Sequence, residues 1–146
     1  MSLGPLALSP IIARIRQEVP LLRTVGGVAE AAAAQRGSLQ GLPAAFVMLE
    51  EESASPTFGS SGAHLQRVSV RFAVLLAARN ARDALGQALA ETAGELAGEL
   101  RRALVGWMPS TALTAIEFRQ GRLLSFDDAV IWWQETYGCD YLLRMP

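Results

Sequence analysis

Cysteine is almost missing from this chain. A single thiol, Cys139, in 146 residues excludes an internal disulfide, and its apolar and aromatic neighbours point to a reduced, half-buried group. Net charge is missing too. Thirteen basic residues against 14 acidic ones leave no electrostatic case for wrapping nucleic acid or lying on an anionic membrane. No run approaches the roughly 20 apolar residues that a bilayer span requires, and the opening "MSLGPLALSPIIARIRQEVP" lacks the basic, apolar, small-residue order of a secretory signal. The expectation is a soluble protein of the cytoplasm whose partners are other proteins, with no nucleic acid recognition and no membrane.

Residues that carry chemistry are equally scarce. The one histidine, His64, has no serine, cysteine or acid held near it by a recognisable motif, and no glycine-rich loop is built to cradle phosphate. Glu91, Glu95 and Glu99 fall four apart, which on a helix sets them side by side on an exposed face. Arg102 follows three residues beyond Glu99, so the row reads as solvated and partly paired, and no histidine joins it to make a metal site. The adjacent pair Asp127 and Asp128 diverges on an extended backbone and reads as a turn. These absences predict no catalytic residue, no metal, no cofactor and no enzymatic activity.

What the chain has in quantity is apolar surface. Half of its residues are hydrophobic, more than one small core obviously absorbs, which favours self-association. The length fits one domain, residues 1–146, able to bury roughly 70% of the surface its unfolded form exposes. Ser9 and Pro10 open a first helix on which Ile11, Ile12 and Ile15 share a face, and Pro20 stops it. Val28 to Gln35 reads as a second helix, ended by Gly37. "AAFVMLEE" suits a strand of about seven residues. "EEESASPTFGSSGA", residues 50–63, reads as a long mobile loop and a candidate contact arm.

The clearest period follows. Val68, Val70, Phe72, Val74 and Leu76 alternate with Arg67, Ser69, Arg71, Ala73 and Leu75, a strand that turns its valines to a helix layer and its arginines to water or a neighbouring subunit. From Ala81 to about Val105, Leu85, Leu89, Ala93, Leu96, Leu100 and Leu104 form one helical stripe that covers the sheet. Gly86, Ala90, Gly94 and Gly98 make a second stripe, of small residues, that would let another backbone come near. "VGWMPS" then ends the helix: Gly106 closes it, Pro109 prevents its resumption, and Trp107 buries its ring to clamp the corner. Ile116 to Arg119 and Leu123 to Phe126 read as two strands joined by a Gln120-Gly121 turn. The last strand sends Ile131, Trp133, Glu135, Tyr137, Cys139 and Tyr141 to one face and Val130, Trp132, Gln134, Thr136 and Asp140 to the other, so at least one of the two tryptophans belongs under a helix or in an intersubunit contact.

The predicted fold class is α+β: a single mixed or antiparallel sheet of about four to five strands, with two to three helices packed mainly on one face, in the order α-α-β-β-α-β-β-β. The stretches "RVSVRFAVLLAARNARDALGQA", "LRRALVGWMPS" and "GRLLSFDDAVIWWQETYGCDYLLR" resemble the tail terminator, or tail completion, family of long-tailed bacteriophages and prophages, over about residues 8 to 145. The resemblance implies a structural subunit that assembles with itself as a ring, typically a hexamer, on the end of the polymerised tail tube, stops its growth and offers a surface to the head connector. Its partners would be its own copies, the tail-tube protein and the head-tail connector protein, met in the bacterial cytoplasm during assembly and at the tail end of the virion. The expected contact surface is Glu51, Glu52, Phe58, His64, Arg67 and Arg71; the expected structural anchors are Gly106, Trp107, Pro109, Gly121 and Trp133. Two alternatives stay open: another neck or tail component of similar fold, and a small ligand-binding domain using the sheet's open face.

Overall fold

The computed structural model describes residues 3–35, 41–59, 62–79, 87–127 and 130–145, with backbone alone for 35, 87–90 and 127. Among the described residues, three helices and five strands follow one another as α1 (Ser9–Glu18), β1 (Thr24–Gly26), α2 (Val28–Gln35), β2 (Ala44–Ala54), β3 (His64–Arg79), α3 (Gln87–Leu104), β4 (Glu117–Asp127) and β5 (Val130–Met145). The strands form one mixed sheet in the order β1-β2-β3-β5-β4. Only the β1–β2 pair is parallel; β2–β3, β3–β5 and β4–β5 are antiparallel. The α+β class and the strand number stand as expected, and the order of elements is corrected at two points.

The first correction is β1. "TVG" is three residues long, too short to show a period of two, and it is held as a strand only because Thr24 to Gly26 finds Ala44 to Phe46 alongside. The second is the expected turn at Gln120-Gly121. That pair lies inside β4, where register shifts between Phe118 and Gln120 and between Leu123 and Ser125 absorb extra residues as bulges. The 16-residue β5 provides a continuous template, so the chain kinks and goes on instead of folding back. β2 is also longer than expected. It continues through Glu50, Glu51 and Glu52 to Ala54, so residues 50–54 of the expected loop are strand, and Ser55 and Phe58 still donate backbone hydrogen bonds to Arg67 O and Leu65 O at 2.8 and 2.9 Å. Ser9 is itself the first residue of α1, whose cap position, Leu8, has no side-chain hydrogen bond.

Burial along β3 shows how the layers lie. From Arg67 to Phe72 exposed and buried residues alternate, whereas Phe72 to Ala78 are all buried. One face of the sheet carries the main core: Ile11 and Ile15 of α1, Val19 just after it, and Ala93, Leu96, Leu100 and Leu104 of α3 pack on Val70, Phe72, Val74, Leu76, Tyr137 and Cys139. The opposite face is covered at one end only, where Ala31 and Ala34 of α2 meet Phe46, Leu75, Ala77 and Trp132. The helices are therefore split, two on one face and one on the other. Of the leucine stripe, Leu96, Leu100 and Leu104 are buried; Leu85 and Gly86 lie outside the described residues, as do Gly37 and Asp128.

The corner after α3 is fixed by backbone. Gly106, at φ +85°, takes the left-handed conformation that ends a helix and donates to Ile116 O at 2.9 Å, while Ile116 donates to Trp107 O at 2.9 Å. Trp107 is half-buried against the main core, with the Arg14 guanidinium 5.2 Å from its ring centre. Arg14 Nε also reaches Ala103 O at 3.0 Å, so one side chain ties α1 to the end of α3 and to the corner. At its two described glycines the stripe of small residues brings no backbone close: Cβ atoms added at Gly94 or Gly98 would meet nothing within 4 Å.

These glycines predict opposite effects. Gly94→Ala and Gly98→Ala, in open space within a helix, should each stabilise by about 0.5–1 kcal/mol, whereas Gly106→Ala should cost about 1 kcal/mol through its positive φ. Urea unfolding of the three variants measures this; a Gly106→Ala midpoint at or above the parent's would contradict the cap.

Candidate functional site

The half of the sheet that α2 leaves bare is polar. Glu51 pairs in register with Arg71, and Ser53 with Ser69. Arg119, a bulge residue of β4, reaches across Gly138, and with those four residues and Val70 it lines a shallow depression of about 120 Å³. Farther along the face, Arg67 holds Asp140 at 2.5 Å with its guanidinium half exposed. On β2, Glu50 accepts from Gln134 at 2.8 Å. The surface is thus a lattice of arginine and carboxylate, with neither sign dominant.

The residues expected to form a contact surface divide. Glu51, Arg67 and Arg71 share this open face. Glu52 does not: the register shift at Leu49 and Glu51 turns it toward the core side, where its carboxylate accepts from Leu6 N at 3.0 Å and Tyr141 Oη at 2.8 Å, fastening the N-terminal segment to the sheet. Phe58 is 47% exposed on the β2–β3 connection. His64 opens β3, exposed, 3.0 Å from both Thr57 Oγ1 and Gln66 Oε1 through Nε2, and no carboxylate among the described residues orients it.

A second feature is apolar. The N-terminal segment, the loop after Trp107 and the end of β5 enclose a groove of about 380 Å³, lined among others by Pro5, Leu6, Ala112, Leu113, Tyr141 and Leu142. Among the described residues, no charged side chain lines it. A third is β4 itself, the outermost strand, which leaves Phe118, Leu123, Leu124 and Phe126 between 37% and 54% exposed.

Beneath β4 lies the group that sequence reasoning missed. Glu135, on the core-facing side of β5, is fully buried. Arg101 of α3 grips it with two prongs, Nε to Oε1 at 2.7 Å and Nη2 to Oε2 at 2.9 Å; Trp133 Nε1 donates to Oε2 at 2.8 Å and Tyr137 Oη to Oε1 at 3.1 Å. Every lone-pair direction has a donor, as a buried carboxylate requires. Gly121 explains itself here: a Cβ on it would come within 2.8 Å of Glu135 Oε2 and of the Trp133 ring. Arg101 also stacks over Phe118, 4.1 Å from the ring centre. A signal was available in the sequence, since Glu135 is the only acid on a face otherwise made of isoleucine, tryptophan, tyrosine and cysteine.

Electrostatics follow from this burial. The Arg101 guanidinium is held more firmly charged by its hydrogen bond to Glu135. Burial, then the neighbouring Glu135 carboxylate, pushes the Tyr137 phenol well above its ordinary range. Burial raises the Cys139 thiol to about 11 from an ordinary 9.0, with Asp140 and Glu52 adding to it, and raises the Tyr141 phenol to about 12, helped by its bond to Glu52. A thiol so placed is protonated and unreactive at neutral pH. Among the described residues, no cluster of three or more histidine, cysteine or acidic side chains is arranged to hold a metal ion, and no helix is long and apolar enough to cross a membrane.

Two predictions come from this cluster. Arg101→Met leaves a carboxylate shut from water without its cation and should cost about 3–5 kcal/mol; Glu135→Gln keeps one acceptor oxygen, enough for Trp133 or for Tyr137 but not for both, and frees a half-exposed arginine to hydrate, so it should cost less, about 1–3 kcal/mol. Reversed order in urea unfolding would refute the lock. Separately, the folded chain holds the Cys139 proton more tightly than the unfolded chain does. Stability is therefore full below pH 9.0 and declines as pH rises through the thiol's folded value of about 11. Unfolding midpoints taken across that window should fall, and fall less in Cys139→Ala; a flat profile would contradict the raised thiol.

The family model described as phage tail terminator protein matches residues 1–146. No curated protein matches the chain.

Proposed function

The chain belongs to the phage tail terminator family, a family of structural phage tail proteins, and on that premise we propose that its copies join as a ring on the growing end of the tail tube, stop elongation there and present the surface that meets the head connector. The observation that carries this reading is the match along all 146 residues. The geometry supports it in kind. The chemistry of the described residues is spent on packing and on surface lattices, while sheet edges and an apolar groove remain uncovered, as a subunit built to be joined requires. Capping then acts by occlusion: a ring seated on the tube occupies the edge that the next tube subunit would use, with no bond made or broken.

Purified protein added to polymerising tail tubes should shorten them at amounts near one ring per tube, as counted by electron microscopy, and native mass spectrometry should find a closed oligomer at high concentration or on the tube. A species monomeric under both conditions that leaves tube length unchanged would overturn the reading.

A further inference from the structure

No described strand pairs with the outer edge of β4, the last strand of the sheet. A bare ladder edge takes up further strands unless it is blunted. β4 carries neither lysine nor proline, and what guards it is a pair of bulges and charges of both signs. Against a foreign strand these are obstacles. Against a second copy of β4 they match.

The match begins at the bulge residue Arg119. Pairing with β5 sets Phe118 opposite Tyr137 and Gly121 opposite Glu135, on the helix-bearing side; it sets Glu117 opposite Gly138, Gln120 opposite Thr136 and Arg122 opposite Gln134, on the open side. Arg119 also lies on the open side, over Gly138. On a regular strand Glu117 and Arg122, five residues apart, would fall on opposite faces, and the extra residue brings them to the same one. From Glu117 to Arg122 the sides therefore run open, helix, open, open, helix, open, which is the same in either direction. A two-fold axis normal to the sheet, passing between Arg119 and Gln120, lays two such stretches antiparallel with like faces together.

In that register each charge meets its opposite, Glu117 the second copy's Arg122 and Arg122 the second copy's Glu117. Both are available. Arg122 is exposed and has no ion pair among the described residues, and the Glu117 side chain is 70% exposed with only a loose contact to Arg119 at 3.9 Å. Phe118, partly exposed, falls opposite the second copy's Gly121, whose bareness Glu135 and Trp133 impose, and an aromatic beside a glycine strengthens a strand pair. Full overlap of the two strands, about an axis at Arg122, fails on charge: it sets Arg122 on Arg122 and Glu117 on Asp127.

We infer that in the free protein β4 pairs with β4 of a second copy in this register, joining two sheets through their edges. The contact is isologous and closes at two. It is therefore separate from the ring proposed above, and it covers an edge that would otherwise recruit strands without limit. Six residues a side make a small contact, of the weak and reversible class.

Sedimentation equilibrium over rising concentration tests it, and the parent should pass from monomer to dimer. Glu117→Arg and Arg122→Glu, each shown to be folded by thermal melting, turn two attractive pairs into two repulsive ones and should each weaken dimerisation about tenfold or more. An equimolar mixture should recover the parent's affinity, since an edge with two arginines then meets an edge with two glutamates. A fault confined to one chain's fold is not rescued by mixing. The pairing is overturned by a parent that stays monomeric or goes straight to a larger ring, by single variants that dimerise as the parent does, or by a mixture no stronger than its components. Tube capping is read in a separate measurement, so the loss of this contact leaves the ring standing.

Discussion

A carboxylate sealed under helix α3 sets the geometry of everything outside it. Glu135 is fully buried and needs a cation, and Arg101 supplies one from the helix with two hydrogen bonds. That bond fixes α3 along the sheet and turns the helix about its own axis, since a two-pronged grip tolerates little rotation. Its effect reaches β4. Gly121 must be bare to pass over the carboxylate, and Phe118 lies under the same guanidinium, so the outermost strand is positioned by an ion pair that belongs to the interior. A buried ion pair adds little net stability compared with a well-packed apolar substitute. What it adds here is register, and register is what an edge strand needs if something is to pair with it.

The second constraint is uneven cover. Helix α2 has eight residues, and its cluster takes in Leu42, Ala44, Phe46, Met48, Leu75, Ala77 and Trp132. The stacking of Phe46 on Trp132, ring centres 6.1 Å apart, therefore sits at one end of a sheet whose other end faces out. Along β3 the consequence is a change of period, from alternation to continuous burial, the difference between a strand covered on one side and a strand covered on both. The bare end is kept wet by charge, with Arg67 on Asp140 and Glu51 across from Arg71.

How much of this was legible in the sequence depends on the range of the forces. Where one element's own pattern decides, reading was reliable: the buried leucines of α3, the alternation at the start of β3, the isoleucines of α1, the left-handed Gly106 and the two faces of β5 were all visible as period or punctuation. Where a distant partner decides, it was not. Thr24 to Gly26 is a strand because β2 is beside it. The Gln120-Gly121 pair has the composition of a turn, yet a long β5 holds it extended. Glu50 to Glu52 look like loop by charge and are strand by pairing with Arg71 and Val70. Of the expected contact residues, Glu51, Arg67 and Arg71 share a surface; Glu52 leaves it because one bulge, invisible to composition, reverses which way it points. The Arg101–Glu135 pair spans 34 residues, and only the presence of a lone acid on an apolar face hinted at it.

These two constraints bear on each other at the edges. Among the described residues, no buried side-chain polar atom lacks a hydrogen-bond partner, so the interior is fully accounted for, down to four donors on one carboxylate. The edges are not: the β2 ladder is left unpaired past Phe46, and four large apolar side chains stand exposed along β4. A chain that satisfies its buried groups this completely and, among the described residues, leaves two ladder edges unpaired has the properties of a subunit rather than of a finished surface. The cost of that openness falls on the free monomer, where backbone groups and phenylalanine rings face water. Covering those groups in an assembly would relieve it.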